Sequence, residues 1–345
     1  MITAIIFIIV LSVIVFVHEL GHFVMAKRAG MKVEEFGFGF PPRLWGYKPK
    51  NSETTYTINA IPFGGFVKIQ GEDGDDRVDQ KSFSTKSFWR RASVILAGVV
   101  MNVILAAVLL AIVNMRGADS KIVIREIAPK SPASEAGMKK YDELLGFENI
   151  NVAQKFIADH KGQSISISVR RTKFFIKKEV LTLTMTPRTN PPPGEGAVGI
   201  SFAELEKIQK YPWHQALWRG AVDAVKGTWA MAAGFAGLLK HLFTTGKAGV
   251  EIAGPVGIAI FAGEAARLGL VYLIQFMAII SLNLAVINVV PFPALDGGRF
   301  LFLIIEKIKG SPLPRRVENG FNAVGFVLLL LLMFFITAKD VLKFL

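Results

Sequence analysis

The chain has 345 residues, a formal net charge of +13 and no cysteine, and 52% of its residues are hydrophobic. That apolar content is too high for an ordinary soluble domain and predicts a membrane protein. The lack of cysteine excludes disulfides, thiolate metal sites and cysteine nucleophiles. The basic residues flank apolar runs instead of lining one face with aromatics, which argues against nucleic acid as a partner.

Four apolar stretches, residues 2–26, 92–115, 268–295 and 321–338, are long enough to cross a hydrocarbon core, which needs roughly 20 residues. The first is followed by Lys27 and Arg28, whereas a cleaved signal peptide carries its basic residues in front. Other basic residues lie just before the second stretch and between the third and fourth. By the positive-inside rule these ends face the cytoplasm, and residues 116–267 face the opposite side.

The segments between these stretches predict β structure. Residues 55–70, TYTINAIPFGGFVKIQ, alternate apolar and polar positions around Pro62, Gly64 and Gly65, which indicates short strands with a turn. The acidic residues 71–76, GEDGDD, indicate a solvated loop. After the second stretch, strand patterns such as KIVIREIAP and SISISVRR alternate with short helix patterns, as in a small α+β domain.

A proline-rich linker, RTNPPPGEG, ends this domain and a helical pattern follows from Trp213 to Phe243. Charged residues interrupt its apolar face, among them Arg219, Asp223 and Lys240. These charges favour an amphipathic helix at the membrane interface over a fifth span.

The first apolar stretch contains the residues HELGH, from His18 to His22. Positions i and i+4 share one helix face, so the two imidazoles can bind one metal ion. In zinc hydrolases with this spacing the glutamate, here Glu19, is not a ligand but accepts a proton from the attacking water. The alternative is that the histidines only form packing hydrogen bonds. Ionisable groups are costly at membrane depth, which favours the metal site.

A catalytic zinc usually has three protein ligands, and without cysteine the third must be a histidine or a carboxylate. Asp296, the only acidic residue of its segment, lies near the end of the third apolar stretch. The alternative role is a helix-ending aspartate paired with Arg299, since nearby prolines and glycines indicate a helix end. His160, His214 and His241 fit solvated or interfacial positions better.

Asn283 and Asn288 are polar groups on the same stretch. Their amides can donate hydrogen bonds to a substrate backbone or a developing oxyanion. Interhelical packing bonds explain them equally well.

With these residues in place, the sequence resembles the site-2 proteases, intramembrane zinc proteases of peptidase family M50, and in particular the bacterial regulator-of-sigma-E-protease type with one PDZ domain. HELGH matches the first motif of the family, and NVVPFPALDGG matches its N-x-x-P-x-P-x-L-D-G motif. Residues 127–152 and 156–171 are similar to a bacterial PDZ domain. The resemblance implies that Asp296 is the third zinc ligand and that Asn288 and Asn283 hold substrate.

The resemblance completes a prediction of a polytopic α-helical membrane protein with about four transmembrane helices, a membrane-associated β-hairpin at 36–70 and an inserted α+β PDZ domain. The predicted parts are a first transmembrane helix at 1–30, a cytoplasmic-side hairpin and loop at 31–91, a second transmembrane helix at 92–116, the PDZ domain at 119–190, a linker and interfacial helix at 191–267, a third transmembrane helix at 268–298, a cytoplasmic loop at 299–320 and a fourth transmembrane helix with the C-terminus at 321–345. This order of elements covers nearly the whole chain.

Two positions depart from the usual PDZ pattern. Tyr141-Asp142 stands where these domains have Gly-Asp, and Asn149-Ile150 stands where they have Asn-Gly. Because those glycines normally allow tight turns, the departures put peptide binding by this domain in doubt.

The function that follows is site-2 cleavage, in which one Zn²⁺ ion activates water to hydrolyse a peptide bond inside a transmembrane segment. The resemblance implies single-pass membrane proteins as substrates, such as anti-sigma factors or signal-peptide remnants, and a location in the bacterial cytoplasmic membrane. The active site is then expected in the cytoplasmic half of the bilayer and the PDZ domain outside. Two other classes remain open, a non-catalytic membrane scaffold and a metal transporter, but neither requires Glu19 beside the ligands.

Overall fold

Four helices are long and apolar enough to cross a membrane within the part of the chain that the structure describes. In the computed structural model they are α1 (Ile2–Arg28), α2 (Phe88–Arg116), α7 (Leu270–Val289) and α9 (Arg315–Phe344), numbered along the chain together with the shorter helices below. The described residues are 2–72, 79–173, 177–246 and 253–344. Helices satisfy their backbone polar groups internally, as lipid requires, and one such helix lies in each of the four predicted transmembrane stretches.

The described residues fall into two units. The first contains residues 1–111, 217–263 and 276–345, and the second contains 112–216 and 264–275. The first unit holds the sequence motifs HELGH and NVVPFPALDGG.

A β-hairpin packs against α1 in the first unit. Its strands are β1 (Val33–Tyr47) and β2 (Thr55–Ile69), and both bend back on themselves. Phe36 therefore pairs with Tyr56 on one side and Val67 on the other, so the hairpin is a sheet of four short segments. The predicted short strands are confirmed, and the predicted turn at Pro62 to Gly65 is the bend in β2. Most of the predicted acidic loop, residues 73–76, lies outside the described residues.

The bend of β2 sits on α1 one to two turns before His18. Ser12 Oγ donates to the carbonyl of Pro62 at 2.5 Å, and the backbone N–H of Gly64 lies 3.4 Å from the same hydroxyl. Gly64 has φ +70°, and a β-carbon there would overlap Val15. The Phe36 ring stacks on Phe23 at 4.6 Å. These contacts hold the hairpin beside the histidine-bearing end of α1.

Helices α1 and α2 touch at Gly21. A β-carbon on Gly21 would lie 2.5 Å from the carbonyl oxygen of Ala97, so only glycine permits this approach. The crossing brings α2 into direct contact with the histidine face of α1.

The third apolar stretch is not one helix, which corrects the prediction of a transmembrane helix over 268–298. Helix α7 ends at Val289, and α8 (Asp296–Lys309) begins after a proline-containing loop. Helix α8 also occupies much of the predicted loop 299–320. Its amphipathic sequence packs Phe302 and Leu303 inward, and Arg91 of α2 pairs with Glu306 at 2.8 Å.

The second unit is built on a five-stranded sheet in the order β6-β5-β4-β3-β7. The strands are β3 (Lys121–Ile127), β4 (Glu143–Leu144), β5 (Ile165–Lys173), β6 (Lys177–Met185) and β7 (Ile200–Leu205), and all neighbouring pairs are antiparallel. The short helices α3 (Pro132–Glu135) and α4 (Ile150–Asp159) accompany it. Ile124, Ile167 and Val169 form the centre of its apolar core. The sheet includes β7, so this unit continues past the predicted boundary at residue 190.

The two departures from the PDZ pattern have different consequences. Tyr141 adopts φ +71°, the left-handed conformation that glycine tolerates best, so the missing glycine leaves a strained tyrosine. Burial raises the pKa of its hydroxyl. Asn149 is extended and caps α4 by accepting the N–H of Val152 at 3.0 Å, so this position needs no glycine. The sheet thus forms without either glycine.

Residues 191–267 contain more structure than the predicted linker and single helix. Besides β7 they form α5 (Trp213–Thr245) and α6 (Pro255–Leu268). Large apolar side chains remain exposed along α5, including Trp213, Trp218 and Trp229. Gly220 lets α5 approach the backbone of α2, where a β-carbon would lie 2.5 Å from the carbonyl of Ala107. An interfacial position for α5 stays a prediction.

Candidate metal centre

The last third of α1 presents two histidines on one buried face. The Nε2 atoms of His18 and His22 lie 3.1 Å apart, and both side chains are buried. The helical spacing of four residues stacks them one turn apart, as predicted. Along the helix they lie about 14 Å and 8 Å before Lys27, at roughly 1.5 Å per residue.

Asp296 joins the two histidines from α8. Its Oδ2 atom lies 3.0 Å from His18 Nε2 and 3.4 Å from His22 Nε2. The chain reversal before Asp296 depends on Gly297 and Gly298, where a β-carbon would overlap carbonyl oxygens of the preceding loop. The two glycines of the LDGG sequence thus allow α8 to start against the end of α7 and aim the carboxylate at α1.

Helix α2 closes the site from a third side. The His22 Nδ1–H donates to the carbonyl of Val94 at 2.8 Å, which leaves its Nε2 with a free lone pair. Gly98 faces both imidazoles, and a β-carbon there would lie 2.5 Å from His22 Nε2 and 2.6 Å from His18 Nε2. Only glycine therefore lets α2 approach the two ligand nitrogens this closely.

The three groups fit a zinc ion by type and by spacing. Their ligand atoms lie within 4.8 Å of one another, the only such cluster found among the described residues. Zinc bonds of about 2.05 Å at tetrahedral angles place ligand atoms about 3.3 Å apart, and the three separations here are 3.0, 3.1 and 3.4 Å. These three residues would hold the ion as the three protein ligands typical of catalytic zinc, which would leave a position for water or substrate.

The other predicted site residues take different positions. Glu19 follows His18 directly and is partly buried. Asn288 is buried with its Nδ2 3.5 Å from His18 Nε2, so it lies at the cluster. Asn283 is partly exposed and donates to the carbonyl of Ile279 in its own helix. The structure thus brings Asn288, but not the Asn283 amide, into contact with the histidines.

The alternatives considered for the third ligand do not hold. Asp296 begins a helix instead of ending one, and Arg299 pairs with Glu72. The remaining histidines stay out of the cluster, and the Nδ1 atom of His160 lies 2.8 Å from the carbonyl of Phe156, in its own helix.

Gly98 and Asn102 at this site were missed by the sequence reasoning. Asn102 is completely buried, with its Nδ2 3.2 Å from His18 Nδ1. Polar residues at membrane depth mark function, and this argument, already applied to Asn288, would have found Asn102. Gly98 carries no such signal, because glycine is common in transmembrane helices.

Comparisons with known proteins agree with this geometry. Residues 6–332 match the model of peptidase family M50. A protein of Clostridium perfringens named "Putative zinc metalloprotease" is 36% identical over 337 residues, covering 96% of each chain. A similarly named protein of Clostridium acetobutylicum is 36% identical over 335 residues, 96% of this chain and 94% of its own. The zinc metalloprotease RasP of Geobacillus kaustophilus is 29% identical over 425 residues, 98% of this chain and 97% of its own.

Proposed function

Because the chain belongs to peptidase family M50, the site-2 protease family, and is a zinc metalloprotease of the inner membrane, we propose that it cuts single-pass membrane proteins inside their transmembrane segments. The observation that carries the proposal is the convergence of His18, His22 and Asp296 on the buried face of an apolar helix. We assign these three residues as the zinc ligands.

Glu19 is the general base and acid in this proposal. Bound zinc would polarise the scissile carbonyl and lower the pKa of the attacking water. Glu19 neighbours both histidines without joining the ligand cluster, so its carboxylate is left to accept the proton of the water. It then gives that proton to the leaving amine. Asn288, beside His18, would donate to the substrate carbonyl, and Asn283 would hold the substrate backbone further along α7.

The substrate must unwind before it reaches this site, because a helix hides its carbonyls in hydrogen bonds. The freed groups cannot be left unsatisfied in lipid. We expect the hairpin to satisfy these groups by pairing with the unwound substrate, because edge segments of such a sheet can bind an extended peptide. Its position supports this role, since Pro62 and Gly64 are held on Ser12 of α1 close to His18. Exposed apolar side chains on the hairpin, including Phe38, Phe40 and Trp45, suit contact with lipid.

The second unit would act as a PDZ domain on the extracytoplasmic side and exclude substrates with bulky outer parts. Its antiparallel sheet and short helices support this assignment, and the family analogy supplies the gating role. Basic residues at the α1 end, Lys27 and Arg28, support a cytoplasmic position for the active site. Deleting residues 121–205, which removes the whole sheet from β3 to β7, should admit substrates with larger outer domains. Unchanged selectivity would remove the gate from the mechanism.

The chemistry is tested with purified protein in liposomes and two single-span reporters, one with a glycine kink and one of polyleucine. The wild type should contain about one zinc and cut the kinked reporter faster. Glu19→Gln should keep its zinc and lose activity by about 10²-fold or more, because only the proton transfer is removed. Equal cutting of both reporters would contradict the unwinding step.

The proposal of cleavage itself fails if wild type and Glu19→Gln both bind zinc and neither cuts any span. That result would favour the scaffold. Zinc uptake into the liposomes would favour the transporter.

A further inference from the structure

Helix α9 packs against the loop that leads into Asp296, although the three clustered ligand residues lie on α1 and α8. The loop joins the end of α7 at Val289 to the start of α8 at Asp296. Gly325 of α9 is buried, and a β-carbon there would overlap the β-carbon of Pro293 and lie 2.8 Å from its γ-carbon. Only glycine therefore allows α9 to touch the loop at this point.

The next residue of the loop has a backbone conformation that needs support. Ala294 has φ +66°, in the left-handed region that residues with a side chain rarely adopt, and it stands two positions before Asp296. Its backbone N–H donates to Oδ1 of Asn322, which lies one turn before Gly325 on α9, at 3.3 Å. A backbone N–H can only donate, so the oxygen of this amide must face the loop. Strained conformations of this kind persist where the surrounding contacts impose them.

Helix α9 is itself held at two further places within the first unit. Near its start, the Phe321 ring meets the ring of Phe302 on α8 edge to face, with the ring centres 5.0 Å apart. Near its end, the buried carboxylate of Asp340 accepts the backbone N–H of Gly257 on α6 at 2.7 Å. These contacts oppose a movement of α9 away from the loop. A bulkier residue at the glycine contact should therefore displace the loop instead.

We propose that Asn322 and Gly325 of α9 are positioning residues, which hold the loop so that Asp296 points at the metal. The inference rests on the proposed function, because it takes Asp296 as a zinc ligand. In Gly325→Ala the added methyl group and the Pro293 γ-carbon must separate by at least about 0.6 Å, the difference between 2.8 Å and the 3.4 Å at which ordinary contact begins. Zinc–ligand distances vary by only about 0.2 Å, so a shift of this size at the loop matters to the site.

The first test measures the zinc dissociation constant of the purified full-length protein by competition with a chromogenic chelator, together with the visible spectrum of the Co²⁺ form. Gly325→Ala should weaken zinc binding by about 10- to 100-fold, as is typical when a group that orients a metal ligand is changed, and should alter the Co²⁺ spectrum. The matched control is Gly320→Ala on the same helix, because a β-carbon there meets nothing within 4 Å. It should bind zinc and Co²⁺ like the wild type.

The second test uses the metal-free protein, so its readout does not depend on zinc. Hydrogen exchange of the Ala294 amide should be faster in Asn322→Leu, which keeps the approximate size of the side chain and removes the acceptor. Asn322→Asp keeps an acceptor oxygen and should retain wild-type exchange. Zinc affinity should fall in Asn322→Leu by up to about 10-fold, the usual worth of one hydrogen bond, and recover in Asn322→Asp. Unchanged exchange in Asn322→Leu would refute the role of Asn322.

Wild-type zinc affinity in Gly325→Ala overturns the role of Gly325, and so does an equal loss in Gly320→Ala. If Gly325→Ala does not fold, the Asn322 variants decide alone. A zinc loss in Asn322→Leu that Asn322→Asp restores supports the proposal, and equal affinity in the two refutes it. Asp296→Ala separates the two levels. Unchanged zinc affinity there would refute the ligand assignment itself, whereas zinc loss there with normal Gly325→Ala and Asn322→Leu would refute only the role of α9.

Discussion

Adding one methyl group at Gly98 should abolish zinc binding. Gly98 lies on α2 and faces the ligand nitrogens of both histidines, at 2.5 Å from His22 Nε2 and 2.6 Å from His18 Nε2 as measured from the position of an added β-carbon. Ordinary contact for a β-carbon begins at 3.4 Å. In Gly98→Ala the imidazoles or the helices must therefore separate by about 0.8 to 0.9 Å, the difference between these distances.

That displacement is large compared with what a metal site tolerates. Zinc–nitrogen bonds are about 2.0 to 2.1 Å and vary by only about 0.2 Å. The helices cannot easily separate, because a β-carbon at Gly21 would already lie 2.5 Å from the Ala97 carbonyl, the mark of very close packing. Overpacking of this kind typically costs about 1 to 3 kcal/mol of stability, so the variant should fold while its ligand geometry is lost.

The assay compares zinc content and reporter cleavage of wild type, Gly98→Ala and Gly234→Ala. Gly234 is the matched control, since it is also inside a helix, α5, and a β-carbon there meets nothing within 4 Å. Gly234→Ala should keep full zinc content and gain up to about 1 kcal/mol in stability from helix propensity. Gly98→Ala should lose both zinc and cleavage. If it instead bound one zinc with wild-type affinity, His18 and His22 would not bind the ion through the nitrogens that face Gly98.

Three further outcomes are expected. Treatment with a zinc chelator should stop reporter cleavage, and added zinc should restore it, whereas irreversible loss would indicate that the metal only stabilises the fold. Gly64→Ala should push the hairpin off Val15 and slow cleavage with zinc content unchanged, and full activity would argue against a substrate role for this bend. Arg171→Met should destabilise the second unit by about 3 to 5 kcal/mol because it removes the guanidinium that neutralises the buried carboxylate of Asp142, which would keep the hydrogen bond from the backbone N–H of Lys139. Hydrogen exchange in β5 measures this loss, with exposed Arg125→Met as the control expected to change stability by less than about 0.5 kcal/mol.

The sequence by itself determined the parts of the site that depend on local spacing. A spacing of four positions from His18 to His22 places both on one helix face regardless of the rest of the fold. The cost of ionisable groups in lipid likewise identified Asp296 as unusual in an apolar stretch. Hydropathy also predicted the four helices that are long and apolar enough to cross a membrane, because this property depends only on the length and composition of a local segment.

Helix ends and chain reversals were less well predicted. Asp296 was expected near the end of a continuous helix, but α7 ends at Val289 and Asp296 starts α8. The pattern of prolines and glycines predicted a break without showing that a new helix follows. Whether the chain stops or turns back there depends on the close approach of Gly297 and Gly298 to the preceding carbonyls.

Only the tertiary structure decided which groups surround the metal ligands. Val94, Gly98 and Asn102 lie on α2, far along the chain from α1, and reach the histidines because Gly21 lets the two helices touch. No local pattern records that contact, since it depends on how side-chain volumes of two helices fit at one crossing point. The sequence thus determined the type of chemistry, and packing determined how the ligands are oriented and what holds them.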